Sequence, residues 1–488
     1  MAVLARTLLL VRQERQTAAG KTKKTGGDGM KETKTGGSRV RKTAASAALA
    51  LMTLLYVLDL LLPLPLGAAA AAAAAAVLLL DLPFMGKTFR LPAWIFFLLG
   101  AAVLLFCRAP LSQWEQGFSS MMKTVVILVV MQGLALAMRR GGYEQAAAEC
   151  LCGRSGSLAG LFCLILLLSH LLAGVMSLGC VVVILAAISP AVRQRLPDSR
   201  RFLAASLSWG YCTLFLWAPG TVTVLMSMQV FDLDWQSYFP PAFALSLLGL
   251  ALGAGIAHFR FRGQSLASAG TETVSPGAWR KLRRLAGVLA VIVAAVALLE
   301  RLGFSTSTGR LLVTILAVTA VWLTAQGRVP EAPPLLRQWW QDYLPKNQDL
   351  AAFFLSMGVF SAAIQYSGFG DRLTELCAGH SGLLGPLVLP LLPLAIVAFS
   401  LVGLHPFVSV LMVGPILAGL PLPVTPLQLG LAMSLGCCLS YMLSPFAGLI
   451  LTLSHELQEP PLRMCLRANL PFAIPYYLLA TLAITWLC

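Results

Sequence analysis

The stretch Leu216–Leu225, "LWAPGTVTVL", lies inside a long apolar run without a charge, and Ala218-Pro219-Gly220 interrupts that run with the two residues that fit an α-helix least. A second interruption, "MLSPFAGLIL" at Met442–Leu451, falls in the other half of the chain. Laid position for position, Phe202–Met228 over Gln428–Ser454 pairs Leu203 with Leu429, Ser208 with Ser434, Gly210 with Gly436, Cys212 with Cys438, Pro219 with Pro445 and Leu225 with Leu451. Two helices broken at matching positions indicate an internal repeat.

Composition places both breaks in a membrane. Of 488 residues, 58% are hydrophobic and 11% charged, and the mean hydropathy of +0.80 leaves too little polar surface to coat a soluble particle of this size. Apolar runs such as Ser46–Leu62, Leu66–Leu82, Leu91–Cys107, Thr124–Met138 and Pro240–His258 have the length of roughly 17–25 residues that crosses the hydrocarbon layer as a helix. They lack the alternation of a transmembrane barrel. The expected fold is an all-α polytopic membrane protein.

The formal charge of +16 reads as a topology signal rather than a nucleic-acid footprint, because Lys and Arg are scattered between apolar segments and gathered in a Gly/Thr/Lys-rich tail over residues 1–45 that is expected to be disordered. Met30 is a second candidate start within it. The eleven cysteines show no metal-ligand spacing and most lie in apolar runs as small hydrophobes, so neither metal nor disulfide is assigned.

With the basic tail inside, the positive-inside rule orders the chain. "MGKTFR" and Arg139-Arg140 fall inside, as do Arg193–Arg201, Arg260–Arg284, Arg328–Lys346 and Arg463–Arg467, whereas "QVFDLDWQSYF" falls outside. Leu158–Pro190 has basic residues at both ends and must return to the side it left, as a re-entrant hairpin with its tip at Gly174–Gly179; Leu383–Leu420 must do the same from the opposite side. The scheme has about eleven spans and two hairpins, with the N-terminus cytoplasmic and the C-terminus outside. The first repeat is 46–258 (with an extra first helix), the basic linker 259–284, and the second repeat, inverted across the membrane, 285–488.

Inverted repeats with broken helices put solute and coupling-ion sites near the membrane midplane. Irregular backbone is tolerated at that depth only when buried in protein or lining a wet cavity. A break exposes a half-helix N-terminus that attracts an anion, and carbonyls that attract a cation. The candidate binding residues are therefore Gly174 and Ser177 at the first tip, Pro219, Gly220, Thr221 and Thr223 at the first break, His405, Pro406 and Ser409 at the second tip, and Ser444, Pro445 and Gly448 at the second break. The bland alternatives are packing kinks and a structural histidine. His405 is singled out because an imidazole at a hairpin tip can donate to an anion or take up a proton.

The order helix, hairpin, broken helix, repeated inverted, resembles the ion transporter superfamily, which includes divalent-anion/sodium symporters, arsenite permeases and TRAP-type dicarboxylate permeases. The resemblance covers roughly Leu66 to the C-terminus and is architectural. Those symporters carry a Ser-Asn-Thr signature at the hairpin tips, whereas "GVMSLG" and "GLHPFVS" here have no Asn. The resemblance implies a secondary transporter of the cytoplasmic membrane that moves a small anionic solute, a carboxylate or oxyanion, by alternating access coupled to H+ or Na+. No cofactor is expected beyond Na+ as one candidate coupling ion. The expected partners are the solute and the bilayer, with a homodimer left open and nucleic acid excluded. A membrane enzyme acting on a lipid-linked substrate, or a non-transporting assembly factor, are the competing classes.

Overall fold

The computed structural model describes residues 32–486 except 63, 140, 153–156, 177, 194–195, 219–220, 265–275, 305, 326, 328 and 369–384. Regular structure among them is entirely helical, and nine helices are long and apolar enough to cross a membrane. The chain is an all-α, multi-pass membrane protein. Of the eleven expected spans, nine coincide with these helices; the other two fall on the shorter apolar helix Gly309–Ala325 and on the interrupted segment Ser199–Thr213/Val222–Val230. The first helix begins at Glu32, so residues 32–45 belong to it rather than to a disordered tail. Its basic end is held against the fold: Arg41 lies over the Phe84 ring at 3.3 Å, and the Lys42 carbonyl accepts from Gln348 at 2.9 Å. The helix Pro276–Arg301 likewise takes in the last residues of the expected linker, whose residues 265–275 lie outside the described set.

Most of the described helices fall into two groups. Glu32–Leu61, Gly67–Asp81, Lys87–Phe106, Leu111–Ser120, Met122–Arg139, Ser307–Ala325 and Leu344–Tyr366 pack on one another as a scaffold. The two hairpins, the two broken helices, Trp235–Arg260 and the final Leu470–Trp486 form the other group, the core.

The first hairpin has arms Leu158–Met176 and Gly179–Arg193. Leu158 N–H donates to the Gln264 carbonyl, just past Arg260, while Arg193 donates to the Glu456 carbonyl, both at 3.0 Å. Both arms therefore end on one face, which also carries Arg200, Glu459 and Arg463 and is here termed the basic face. The second hairpin, Val388–Leu401 and Pro406–Gly419, has its first arm parallel to the second broken helix, Pro426–Leu443/Gly448–Leu457. Pro393 and Ile396 meet Gly436, and Ser400 meets Ser444. This hairpin hangs from the opposite face, where Gln428 donates to the Ile484 carbonyl.

The two broken helices run antiparallel. Arg200, at the start of the first, bonds Glu459 just past the end of the second, while Val230, Phe231 and Leu233, at the end of the first, pack on Gly414 and Gly430 beside the start of the second. Antiparallel packing of equivalent elements that both traverse the membrane is inversion. Close approach within each repeat depends on an equivalent glycine. A Cβ on Gly210 would fall on the Leu166 carbonyl oxygen of the first hairpin, and one on Gly436 would come within 2.9 Å of Pro393 Cα and Ile396 Cδ1 of the second.

Candidate functional site at the two helix breaks

Each break follows from local chemistry. Pro445 disfavours helical backbone in the residue before it, and Ser444 is extended (φ −81°, ψ 124°), so the helix stops at Leu443. The next half-helix starts at Gly448 behind Ala447, whose side chain offers no acceptor to the free N–H groups. In the first break the helix Ser199–Thr213 tightens to a 3₁₀ turn at Leu214–Leu216 and resumes at Val222. Thr221 occupies the capping position but donates its hydroxyl to the Ala218 carbonyl at 2.8 Å, leaving that N-terminus without a side-chain cap as well.

The hairpin return arms start with the same polarity, so four helical segments begin between the two faces of the fold, at Gly179, Val222, Pro406 and Gly448. They are cross-braced: Val222–Val230 packs on the second hairpin's return arm, and Gly448–Leu457 on the first hairpin's return arm. Reciprocal contact of this kind is the isologous pattern that a two-fold axis generates. A residue on such an axis meets its own equivalent, and the register that pairs Ser208 with Ser434 also pairs Phe215 with Tyr441. Their rings stack at 4.3 Å and 14°, filling the centre between the breaks.

The carbonyls released at the breaks are also equivalent and are capped in parallel. Tyr238, on the helix after the first break, donates to the Leu216 carbonyl at 2.9 Å; Asn469, on the segment after the second, donates to the Met442 carbonyl at 2.8 Å. A buried hydroxyl chain extends from the first cap, Tyr238 to Ser434 at 2.6 Å and Ser434 to Ser227 at 2.9 Å, joining both broken helices.

The two histidines near the breaks differ. His170, fully buried in the first arm of the first hairpin, accepts from Trp217 Nε1 at 3.2 Å on Nε2, which puts its proton on Nδ1 facing the Gly210 carbonyl at 3.0 Å and Thr213 Oγ1 at 3.2 Å. It is a neutral staple across the break. His405 caps the second return arm, its Nδ1 accepting from Phe407 N–H at 3.4 Å, which leaves Nε2–H as the available donor. Phe89 and Phe407 flank it at 5.5 and 4.3 Å. Phe89 belongs to the scaffold, so this imidazole lies where scaffold and core meet.

Of the sequence-predicted residues, Ser177, Pro219 and Gly220 lie outside the described residues. Gly174 lies against Leu214 of the first break, while Leu178, in the same hairpin turn, touches Gly448 of the second. Thr221 and Thr223 stand at the N-terminus of one half-helix and His405, Pro406 and Ser409 at that of the segment packed against it; Thr223 and Ser409 are fully buried with hydroxyls that have no partner among the described residues. Ser444 donates to the Ser400 carbonyl at 2.7 Å, while Pro445 is half-buried and Gly448 exposed. The structure thus joins each tip to a break but fills the middle with the Phe215–Tyr441 stack. Sequence reading missed Tyr238, Asn469, His170 with Trp217, and that stack. Asn469, an amide at the head of an apolar run, was the visible signal.

No protein-family model matches the chain, and no curated protein does. Its structure is similar to solved transporters. The Alcanivorax borkumensis YdaH transporter superposes with a TM-score of 0.53 at 16% identity over 81% of this chain and 96% of that one. Neisseria gonorrhoeae MtrF, described as illuminating a class of antimetabolite efflux pumps, does so with a TM-score of 0.54 at 13% identity over 83% of this chain and 96% of that one. At these identities the likeness is one of fold.

Proposed function

We propose that the protein is a secondary active transporter that moves a small anionic solute, a carboxylate or oxyanion, across the cytoplasmic membrane by alternating access, coupled to H+ or Na+. The observation that carries this reading is the set of four segments beginning between the two faces of the fold in cross-braced pairs. The segments around them, 174–179, 218–223, 403–409 and 444–448, carry no charged side chain in their sequences, so the local field comes from backbone N–H groups and favours an anion. Nε2–H of His405 and the hydroxyls of Thr223 and Ser409, which have no partner among the described residues, add donors. Placement in the ion transporter superfamily belongs to this proposal, as does the orientation with the basic face and N-terminus cytoplasmic and the C-terminus outside. His405 is the only titratable side chain in those segments, which favours binding over the clustered acid–base chemistry that an enzyme on a lipid-linked substrate needs. Purified protein in liposomes, offered labelled dicarboxylates, oxyanions and antimetabolites with imposed proton or sodium gradients, is expected to accumulate an anion under one gradient. Antimetabolites join the panel because MtrF is described as a pump for them. Uptake restricted to cations, or none that either gradient drives, overturns the reading.

A further inference from the structure

A cavity of about 40 Å³ opens at the basic face, away from both breaks. Its floor is aromatic: Phe162 of the first hairpin, with Phe202 and Trp209 of the first broken helix, all buried, their rings in contact at 5.4 and 5.2 Å from Phe162. Its rim is charged. Arg201 and Arg260 both lean on Asp198, at 3.8 and 3.7 Å, distances too long for the paired hydrogen bonds of a closed bidentate bridge. Both guanidiniums therefore keep donors for another acceptor, and two cations against one carboxylate leave the rim net positive. Trp209 adds a buried indole N–H with no partner among the described residues. The rim lies at the end of the candidate span Trp235–Arg260, the depth of lipid headgroups.

We infer that this cavity binds a phosphate-bearing anion, and that the occupant is the headgroup of an anionic phospholipid, its phosphate between Arg201 and Arg260 and its glycerol region over the aromatic floor. Free phosphate offers the same charge but is strongly hydrated and gains nothing from an apolar floor, whereas a lipid brings its own apolar part and is held at this depth by the membrane. Bound there, it fastens together the first hairpin, the first broken helix and the helix that follows, whatever solute the protein carries.

Thermal unfolding of delipidated protein in a neutral detergent tests the assignment, with titrations of phosphatidylglycerol, of zwitterionic phosphatidylcholine and of inorganic phosphate. Phosphatidylglycerol is expected to raise the Tm saturably and the other two to leave it unchanged. At ~1 kcal/mol for each arginine facing an anionic lipid, the double variant Arg201→Gln/Arg260→Gln should need about thirtyfold more lipid for half-saturation. Trp209→Phe, which leaves a smaller aromatic ring in the floor and removes the N–H, should need roughly fivefold more, and it carries the test if the double variant does not fold. Arg262→Gln, on the same face but outside the cavity, should match the parent. Equal protection of parent, double variant and Trp209→Phe by phosphatidylglycerol overturns the site, as does an equally large loss in Arg262→Gln. Protection by inorganic phosphate equal to that by the lipid keeps the anion site but overturns the lipid as its occupant.

Discussion

The two breaks share a design and differ in closure. Both release a carbonyl at the same repeat position, cap it from the following segment, and approach their own hairpin through an equivalent glycine. The first break is enclosed: Trp217, Ala218 and Val222 are buried, His170 staples it, and Tyr238 ties it to Ser434 and Ser227 of the two broken helices. The second opens on one side, where Phe446 is 60% exposed and Val402 in the adjacent hairpin turn 76%. Inversion thus fixes where the half-helices start, and side-chain chemistry sets how firmly each break is held. The proposed transport cycle would use that asymmetry, with the first break as the fixed side.

Adding a methyl group at the equivalent glycines breaks the comparison most severely. In Gly210→Ala the new Cβ meets the Ser169 hydroxyl, which can rotate, and the Leu166 carbonyl oxygen, which is backbone and cannot retreat without moving the hairpin arm. A loss of about 3 kcal/mol or more is expected, at the upper end of overpacking effects. In Gly436→Ala the Cβ meets Ile396 Cδ1, which can rotate, as well as Pro393 Cα, so about 1–3 kcal/mol is expected. Thermal unfolding in detergent checks both; equal losses would show that the two repeats are packed equally tightly.

The caps come next. Tyr238→Phe and Asn469→Leu each leave a buried carbonyl without its side-chain donor, at about 1–3 kcal/mol apiece. Tyr238→Phe should lose more, because it also cuts the link to Ser434, and a larger loss in Asn469→Leu would reverse the assignment of the first break as the fixed side.

The histidines separate stability from transport. His170→Leu removes the acceptor of Trp217 N–H and should lower stability by about 1–2 kcal/mol while leaving the pH profile of uptake unchanged. His405→Gln keeps a donor near the second tip without a titrating ring; it gives up the cap on Phe407 N–H, at about 0.5–1 kcal/mol, and should retain exchange while losing the pH dependence of proton-coupled uptake. An unchanged pH profile in His405→Gln assigns that residue a structural role.

The breaks, hairpins and inversion were legible because proline and glycine stop helices locally and arginines mark one face, as Arg193, Arg200 and Arg463 do. The caps were not, because Tyr238 and Asn469 reach a carbonyl many residues earlier and only packing sets which one. Nor was the central stack: the register aligned Phe215 with Tyr441, but that the axis passes between them is a property of the assembled repeats. The first helix runs further back than its Gly/Thr/Lys-rich composition suggests, because its basic end packs on the fold, with Arg41 over the Phe84 ring.

The smallest expected effect concerns the clasp that joins the repeats at the basic face. Glu459 accepts from Arg200 at 2.9 Å and from Arg463 at 3.0 Å, linking the start of the first broken helix to the loop after the second. Those hydrogen bonds, from Arg200 first, hold its carboxyl below the ordinary glutamate range. A depressed folded value means the clasp contributes above the unfolded pKa of about 4.3 and is lost as pH falls through the lower folded value. Both arginines are about half exposed, at 54% and 52%, so solvent screening limits the contribution to about 0.5–1 kcal/mol. Glu459→Gln should therefore lower the Tm slightly at pH 7 and in 50 mM salt, the difference from the parent shrinking in high salt and as the pH falls below the unfolded value of about 4.3 through the lower folded one. A loss as large as that of the break caps would mean that the two repeats are held together at their rim rather than at the Phe215–Tyr441 centre.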